Sequence, residues 1–356
     1  METRHFPFKN LRFISLLVII SLIFGVYMPA SAIEGTGILG ISELIPIGHT
    51  TGIKIYTDGV VVTGLQSITT VDGQSSPAFS AGILEGDILT HVGSEKLTDS
   101  DSLTNAIQDA DDGSVTVRFL RNGEPMQVEV TPAQAAIDSR YRIGVWVRDS
   151  MAGIGTITFY DPNSGQFGAL GHGVNDVDTG KIMPLLSGTL MYSQVESIKK
   201  GESGSPGELR GKFDDKQSGT ISQNTANGIF GTLENTEYIK SFEAVPVAKS
   251  SEVKNGKARV RCNIVGDEIR EYDIEITKVY PRSNNASKGM SIKITDPELL
   301  KATNGIVQGM SGSPILQNGK LIGAVTHVFV NDSQKGYAVF IENMIEEMYG
   351  TRGGKS

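Results

Sequence analysis

Runs of alternating β-branched and polar residues, broken every few positions by glycine, govern what this chain can become. The stretch "LIPIGHTTGIKIYTDGVVVTGLQSI", residues 44–68, is the first of them. A side-chain period of two fits a strand rather than a helix, and glycine supplies the turns between short strands. With 42 glycines, one tryptophan and 39% apolar content in 356 residues, the chain reads as mainly β and long enough for two modest domains with cores of their own.

Charge and cysteine content narrow the partners. The net charge is -8, and residues 1–32 carry Arg4, Lys9 and Arg12 against Glu2, a local +2 that leaves about -10 for the rest. An acidic body with no basic stripe repels phosphate backbones, so no nucleic acid partner is expected. Cys262 is the only cysteine, which excludes an internal disulfide and a cysteine-based zinc cluster, and it reads as a packed strand residue. No helical His-Glu-His pair or aspartate-rich loop points to a metal, and no cofactor is expected.

The basic residues precede "FISLLVIISLIFGVYMP" and then "ASA" at Ala30–Ala32, the pattern of an export signal. Residues 1–32 are therefore expected to be a signal peptide or, if uncleaved, a membrane anchor through residues 13–29. Either places the remainder outside the cytoplasm.

Residues 40–133 read as one compact unit. "SPAFSAGILEGDIL" gives a short helix and a turn into a strand, and "SDSLTNAIQDA" gives a capped helix with Leu103, Ala106, Ile107 and Ala110 on one face. Asn122-Gly123 then marks a hairpin. Through "SPAFSAGILEGDILTHVGSEKL" this unit resembles a PDZ domain of the bacterial protease-associated type. The resemblance implies strand-addition binding of a peptide, with the terminal carboxylate held by the loop "IGHTTGIKI" at Gly48, Gly52 and Ile53, and His49 a solvated side chain. Residues 134–140 read as a linker, and 141–350 as a second, strand-rich unit of the barrel or double-barrel kind.

A serine hydroxyl needs a general base and oxyanion donors to act as a nucleophile. In "GMSGSP" the N–H groups of Gly309 and Ser311 can converge on one point, and "PILQNGKLIGAV" follows as a hairpin. "GESGSPGEL", with Ser203 and Ser205, has similar chemistry but continues into charge. Of five histidines, His5 lies in the export segment, and His49 and His91 fall in the PDZ-like unit. His172 stands at a strand end in "FGALGHGVND", whereas His327 in "IGAVTHVFV" reads as a partly buried structural histidine.

From the PDZ-like unit onward, nearly the whole chain after the export segment resembles the stage IV sporulation protein B family of secreted PDZ-containing serine peptidases of endospore-forming bacteria. The likeness runs through "YRIGVWVRDSMAGIGTITFYDP", "GALGH", "PGEL", "GIFGTL", "KITDPELL" and "GIVQGMSGSPILQNGKLIGAVTHVFVND". It implies a chymotrypsin-like double β-barrel with Ser311 as nucleophile, His172 as base and Asp296 of "KITDP" as acid, and N–H groups of Gly309 and Ser311 as the oxyanion hole. Asp296 before Pro297 also reads as a helix N-cap, and Asp176, Asp178, Asp214 and Asp215 stand as other acids. Gly173, where a bulkier residue is expected, is read as loosening the loop. The resemblance further implies self-processing near the N-terminus and cleavage, at the forespore membrane, of the regulator of an intramembrane metalloprotease, which activates a late mother-cell sigma factor. The rivals are a non-catalytic PDZ scaffold and a general extracytoplasmic quality-control protease.

Overall fold

The computed structural model describes residues 38–281 and 287–350. The export segment at residues 1–32 lies outside them. Two rings of six antiparallel strands form the frame of the fold. In the first, Val145–Asp161 pairs with Gln166–Ala169, followed in order by Gly228–Leu233, Glu208–Thr225, Ser187–Lys199 and Thr50–Leu65, which returns to Val145–Asp161. The second runs Gly256–Val265, Glu268–Val279, Met290–Ile294, Asp332–Phe340, Lys320–Phe329 and Pro314–Gln317, and closes on Gly256–Val265. Closure leaves a ring without exposed edges, which is how all-β chains avoid pairing with one another. The fold is the expected chymotrypsin-like pair of barrels with a PDZ unit.

Each ring encloses the apolar half of its alternating strands. Ile53, Ile157, Phe167, Leu190 and Ile221 fill the first, and Val260, Ile274, Ile292, Val325 and Ala338 the second. The helix Ile341–Gly350 sets Ile341, Met344, Ile345 and Met348, spaced i, i+3, i+4, i+7, against Leu44, Phe159 and Phe230.

The PDZ unit has its own core of Val60, Leu89, Leu103, Ile107, Val117 and Phe119. Its helix Ser100–Ala110 starts at a capping box, in which Asp99 accepts from Ser102 N–H and the Ser102 hydroxyl accepts from Asp99 N–H. The hairpin turn falls at Asn122 and Gly123, both with positive φ, as the sequence requires.

The unit is not simply hung in front of the peptidase. Residues 51–56 of the strand Thr50–Leu65 pair with Ser187–Tyr192 inside the first barrel, and residues 60–61 of the same strand pair with Ile88–Leu89 in the PDZ sheet. The chain leaves the barrel on this strand, builds the PDZ unit and re-enters on Val145–Asp161.

That topology corrects the expected carboxylate loop at Gly48, Gly52 and Ile53. Gly48 N–H donates to the Ile157 carbonyl at 2.9 Å and its carbonyl accepts from Asn263 N–H at 3.1 Å, so it stitches the barrels together. Gly52 lies under the Phe213 ring, and Ile53 is buried in the first barrel. His49 is likewise buried, with its ring against Tyr192, rather than solvated. The alternation predicted a strand here correctly; which sheet would claim it is a tertiary matter.

Gly48 has φ of +84°, and a Cβ there would lie 2.6 Å from the Arg261 carbonyl oxygen. Gly48→Ala is expected to cost about 2 kcal/mol of stability, seen as a lower urea midpoint. A carboxylate-binding role would instead weaken peptide binding and leave the midpoint in place.

Candidate active site

Ser311 sits in the turn that feeds the strand Pro314–Gln317 of the second barrel. Met310 N–H donates to Val307 O at 3.1 Å, Gly312 N–H to Val325 O at 2.7 Å and Ser313 N–H to Met310 O at 2.9 Å. In a planar trans peptide the C=O and the following N–H point opposite ways. The Gln308 and Met310 carbonyls are turned toward Leu209 N–H and Ser313 N–H, which aims the N–H groups of Gly309 and Ser311 the other way. Among the described residues neither of these two N–H groups donates to a protein acceptor. Two unspent donors two residues apart are the arrangement an oxyanion requires.

The turn is fixed from the other barrel by Thr156, which is fully buried. Its N–H donates to the Ser311 carbonyl at 2.9 Å and its hydroxyl to the Gly309 carbonyl at 2.7 Å. Gly312 makes this approach possible: with φ of +96°, a Cβ on it would lie 2.0 Å from Thr156 O and 2.5 Å from Leu170 N.

His172 follows the strand Gln166–Ala169 of the first barrel. Leu170 and Gly171 both take left-handed φ, 68° and 69°, which bends the chain sharply after the strand and presents the imidazole. A non-glycine residue in that region is strained by roughly 1–3 kcal/mol and persists only where packing holds it; Leu170 is buried in the first-barrel core. Gly173 does not loosen this loop. A Cβ there would meet the Thr225 carbonyl at 2.6 Å, and Asn224 ties down the next residue through Val174 N–H and C=O.

His172 Nδ1 is 2.8 Å from the Gly173 carbonyl. A carbonyl only accepts, so Nδ1 carries the proton and Nε2 keeps the lone pair a general base needs. Burial lowers the imidazole pKa below its ordinary value, opposed in part by the Gly173 carbonyl.

Ser311 and His172 line one cavity of about 620 Å³ with Gly309, Ile154, Thr326 and His327. The serine hydroxyl donates to the Thr326 carbonyl at 2.8 Å rather than to the imidazole, so the nucleophile is parked on backbone in this state.

Asp296 is the expected member the geometry does not bring to His172. One carboxylate oxygen accepts from Glu298 N–H and Leu299 N–H at 2.9 and 3.0 Å, capping the helix Pro297–Thr303, and the other accepts from Asp273 N–H at 3.3 Å. Of its two readings from sequence, the cap describes where its oxygens go. Nor do the other acids orient the ring: Asp176 and Asp178 hold Arg148, and Asp214 is exposed. The atom on Nδ1 is the Gly173 carbonyl.

His327, read as structural, belongs to the site. It is exposed, its ring lies 5.1 Å from that of His172, and desolvation together with His172 and Lys288 lowers its pKa. A signal was present: the continuous apolar run Leu321–Val325 gives way to the polar pair Thr326-His327. Cys262 is inert as expected, its thiol pushed up to about 12 by burial.

A second cavity, of about 930 Å³, lies in the PDZ unit between Leu103, Thr104 and Ile107 of the helix Ser100–Ala110 and residues Ile143–Trp146. The strand here is paired on one side only, with Gly64–Leu65 and Val61–Val62 of Thr50–Leu65; among the described residues no strand pairs its other edge at residues 145–148. This groove, and not Gly48–Ile53, offers the open edge that strand addition requires.

Residues 139–345 match the family described as SpoIVB peptidase S55, and residues 52–131 match the PDZ domain family. Among curated relatives, the zinc metalloprotease RasP of Shouchella clausii is 29% identical over 86 residues, 24% of this chain. The chain spans 20% of that relative's length. Among solved structures, the HtrA-type protease AlgW with decapeptide is similar over 61% of this chain and 58% of its own, at 13% identity and a TM-score of 0.34. The inactive form of the Rv3671c protease of M. tuberculosis is similar over 56% of this chain and 85% of its own, at 13% identity and a TM-score of 0.33.

Thr156→Val keeps the shape but leaves the Gly309 carbonyl without its donor. It is expected to lower kcat/KM by about tenfold, a loss of about 1.4 kcal/mol, with Thr156→Ser restoring most of it. The lowered His172 pKa has a direct sign: the base stays deprotonated below its ordinary range, so the acid limb of kcat/KM against pH should fall below pH 6.5. A limb at or above that value would contradict the burial argument.

Proposed function

The chain belongs to the SpoIVB peptidase S55 family and is a serine endopeptidase; from that premise we propose that Ser311 is its nucleophile and His172 its only side-chain base. On substrate entry the Ser311 hydroxyl leaves the Thr326 carbonyl and gives its proton to His172 Nε2 as Oγ attacks the scissile carbonyl. The N–H groups of Gly309 and Ser311 receive the oxyanion. The imidazolium, steadied by the Gly173 carbonyl at Nδ1, then protonates the leaving amine, and water drawn through the same nitrogen releases the acyl group. Asp296 contributes by capping its helix. The observation that carries this reading is the pair of unspent N–H donors beside a serine and a correctly tautomerised histidine in one cavity.

The groove beside the helix Ser100–Ala110 takes an extended peptide, from a partner or from this chain, as an added strand. Arg140 at its rim suits a terminal carboxylate, while Arg142 beside it is held by Asp138. Its occupant governs cleavage, because the strand that walls the groove at Val145 reaches Thr156 without a break and Thr156 holds the Ser311 turn. The substrate is the regulator of an intramembrane metalloprotease, cut outside the cytoplasm during sporulation so that a late mother-cell sigma factor becomes active, and the enzyme also trims its own N-terminus. Family membership and the basic-then-apolar N-terminus support this part of the reading.

Fluorophosphonate labelling of the full chain tests the chemistry. Wild type should label and lose N-terminal residues, and a peptide ending in a free carboxylate should speed both. Ser311→Ala should take up no label and His172→Ala should slow labelling by about 10⁴-fold or more. Labelling that survives in Ser311→Ala refutes the assignment of the nucleophile.

A further inference from the structure

A third cavity, of about 680 Å³, opens beside His172 and continues past His327 along the end of the strand Lys320–Phe329. His172 and His327 line both this cavity and the one that holds Ser311, so the two are adjoining parts of a single cleft. Val328, Phe329 and Tyr337 give the cavity an apolar wall.

Its charge is unusual for this chain. Lys288 stands in the lining with its Nζ 4.9 Å from the centroid of the Tyr337 ring. Among the described residues no carboxylate forms an ion pair with it. The neighbouring sequence 282–286, Arg-Ser-Asn-Asn-Ala, contains no acid. One carboxylate does line the cavity, that of Asp332, and it is engaged by Lys335 Nζ at 2.9 Å and by Gln334 N–H. Arg121, Arg148 and Arg261, which are likewise partly buried, each hold a carboxylate. A half-buried lysine held on an aromatic face beside the reacting groups, with no such partner, is a cation whose counter-charge comes from elsewhere.

The backbone beside it can receive a peptide. The strand Lys320–Phe329 pairs with Asp332–Phe340 along one side, while its pairing with Pro314–Gln317 on the other ends at Ala324. Residues 326–328 therefore keep an edge open toward the cleft, where an extended substrate places alternate side chains on alternate faces. We propose that the cavity at Lys288 is a specificity subsite for an acidic substrate side chain, aspartate or glutamate, within a few residues of the cut bond. The carboxylate lies on the Lys288 ammonium, its stem packs on Tyr337 and Phe329, and His327 separates it from the reacting bond. This rests on the peptidase reading above and adds a substrate class to it.

The test is digestion of a proteome-derived peptide library by the full chain, with cut sites read by mass spectrometry and preference taken as a ratio within each enzyme preparation. The library also supplies free C-termini for the PDZ groove. Wild type should favour Asp or Glu over Ala at one position near the cut by roughly three- to tenfold. Lys288→Glu should turn that preference toward Lys and Arg, and Lys288→Met should flatten it; either variant suffices if the other fails to fold. Cleavage without acidic enrichment, or enrichment that persists in both variants, overturns the inference and leaves the peptidase reading intact. A library left whole by wild type overturns the peptidase reading itself.

Discussion

The contact on which the site depends is the one between Thr156 and the Ser311 turn. His172 is carried by one barrel and Ser311 by the other, so their alignment is only as good as the joint between barrels. Two hydrogen bonds from a single buried residue tie the Ser311 turn across that joint, and Gly312 is the absence of a side chain that lets it close. The same bonds hold the turn in which the Gln308 and Met310 carbonyls point away and the N–H groups of Gly309 and Ser311 are left for an oxyanion. Positioning, donor orientation and inter-barrel packing are thus one arrangement.

Thr156 also belongs to the strand that begins in the PDZ groove. Val145–Asp161 is paired with Thr50–Leu65 along most of its length, with irregular steps near Trp146 and Arg148 where the barrel gives way to the PDZ sheet. A strand braced in this way transmits displacement along its axis better than a loop does. A ligand at one end and a catalytic turn at the other are then joined by continuous backbone.

What could be read from sequence was what is local. "GMSGSP" announces a tight turn because its glycines and proline favour one locally, before Thr156 fixes it, and "GALGH" presents a histidine at a strand end on the same local grounds. The Asn122-Gly123 turn and the capped helix at Asp99 were legible on the same grounds. Asp296 was ambiguous because Asp-Pro before an apolar run satisfies two chemistries, and only the three-dimensional position of His172 separates them. Gly48, Gly52 and Ile53 were misplaced because alternation announces a strand without naming its partner. His327 was undervalued because a histidine's role depends on what its ring faces, and that is His172, 155 positions earlier in the chain.

Eleven residue pairs bind the two strands that enter and leave the PDZ unit, and seven of those pairs, from Ser150 to Thr156, lie within the first barrel. The peptide-binding unit is therefore an insertion into the enzyme and not a cassette attached to it. Excising it would remove a stave from the barrel, so the two modules are bound to melt together and to be inherited together. A lineage could lose the binding specificity of this PDZ unit by mutation, but it could not discard the unit and keep the peptidase.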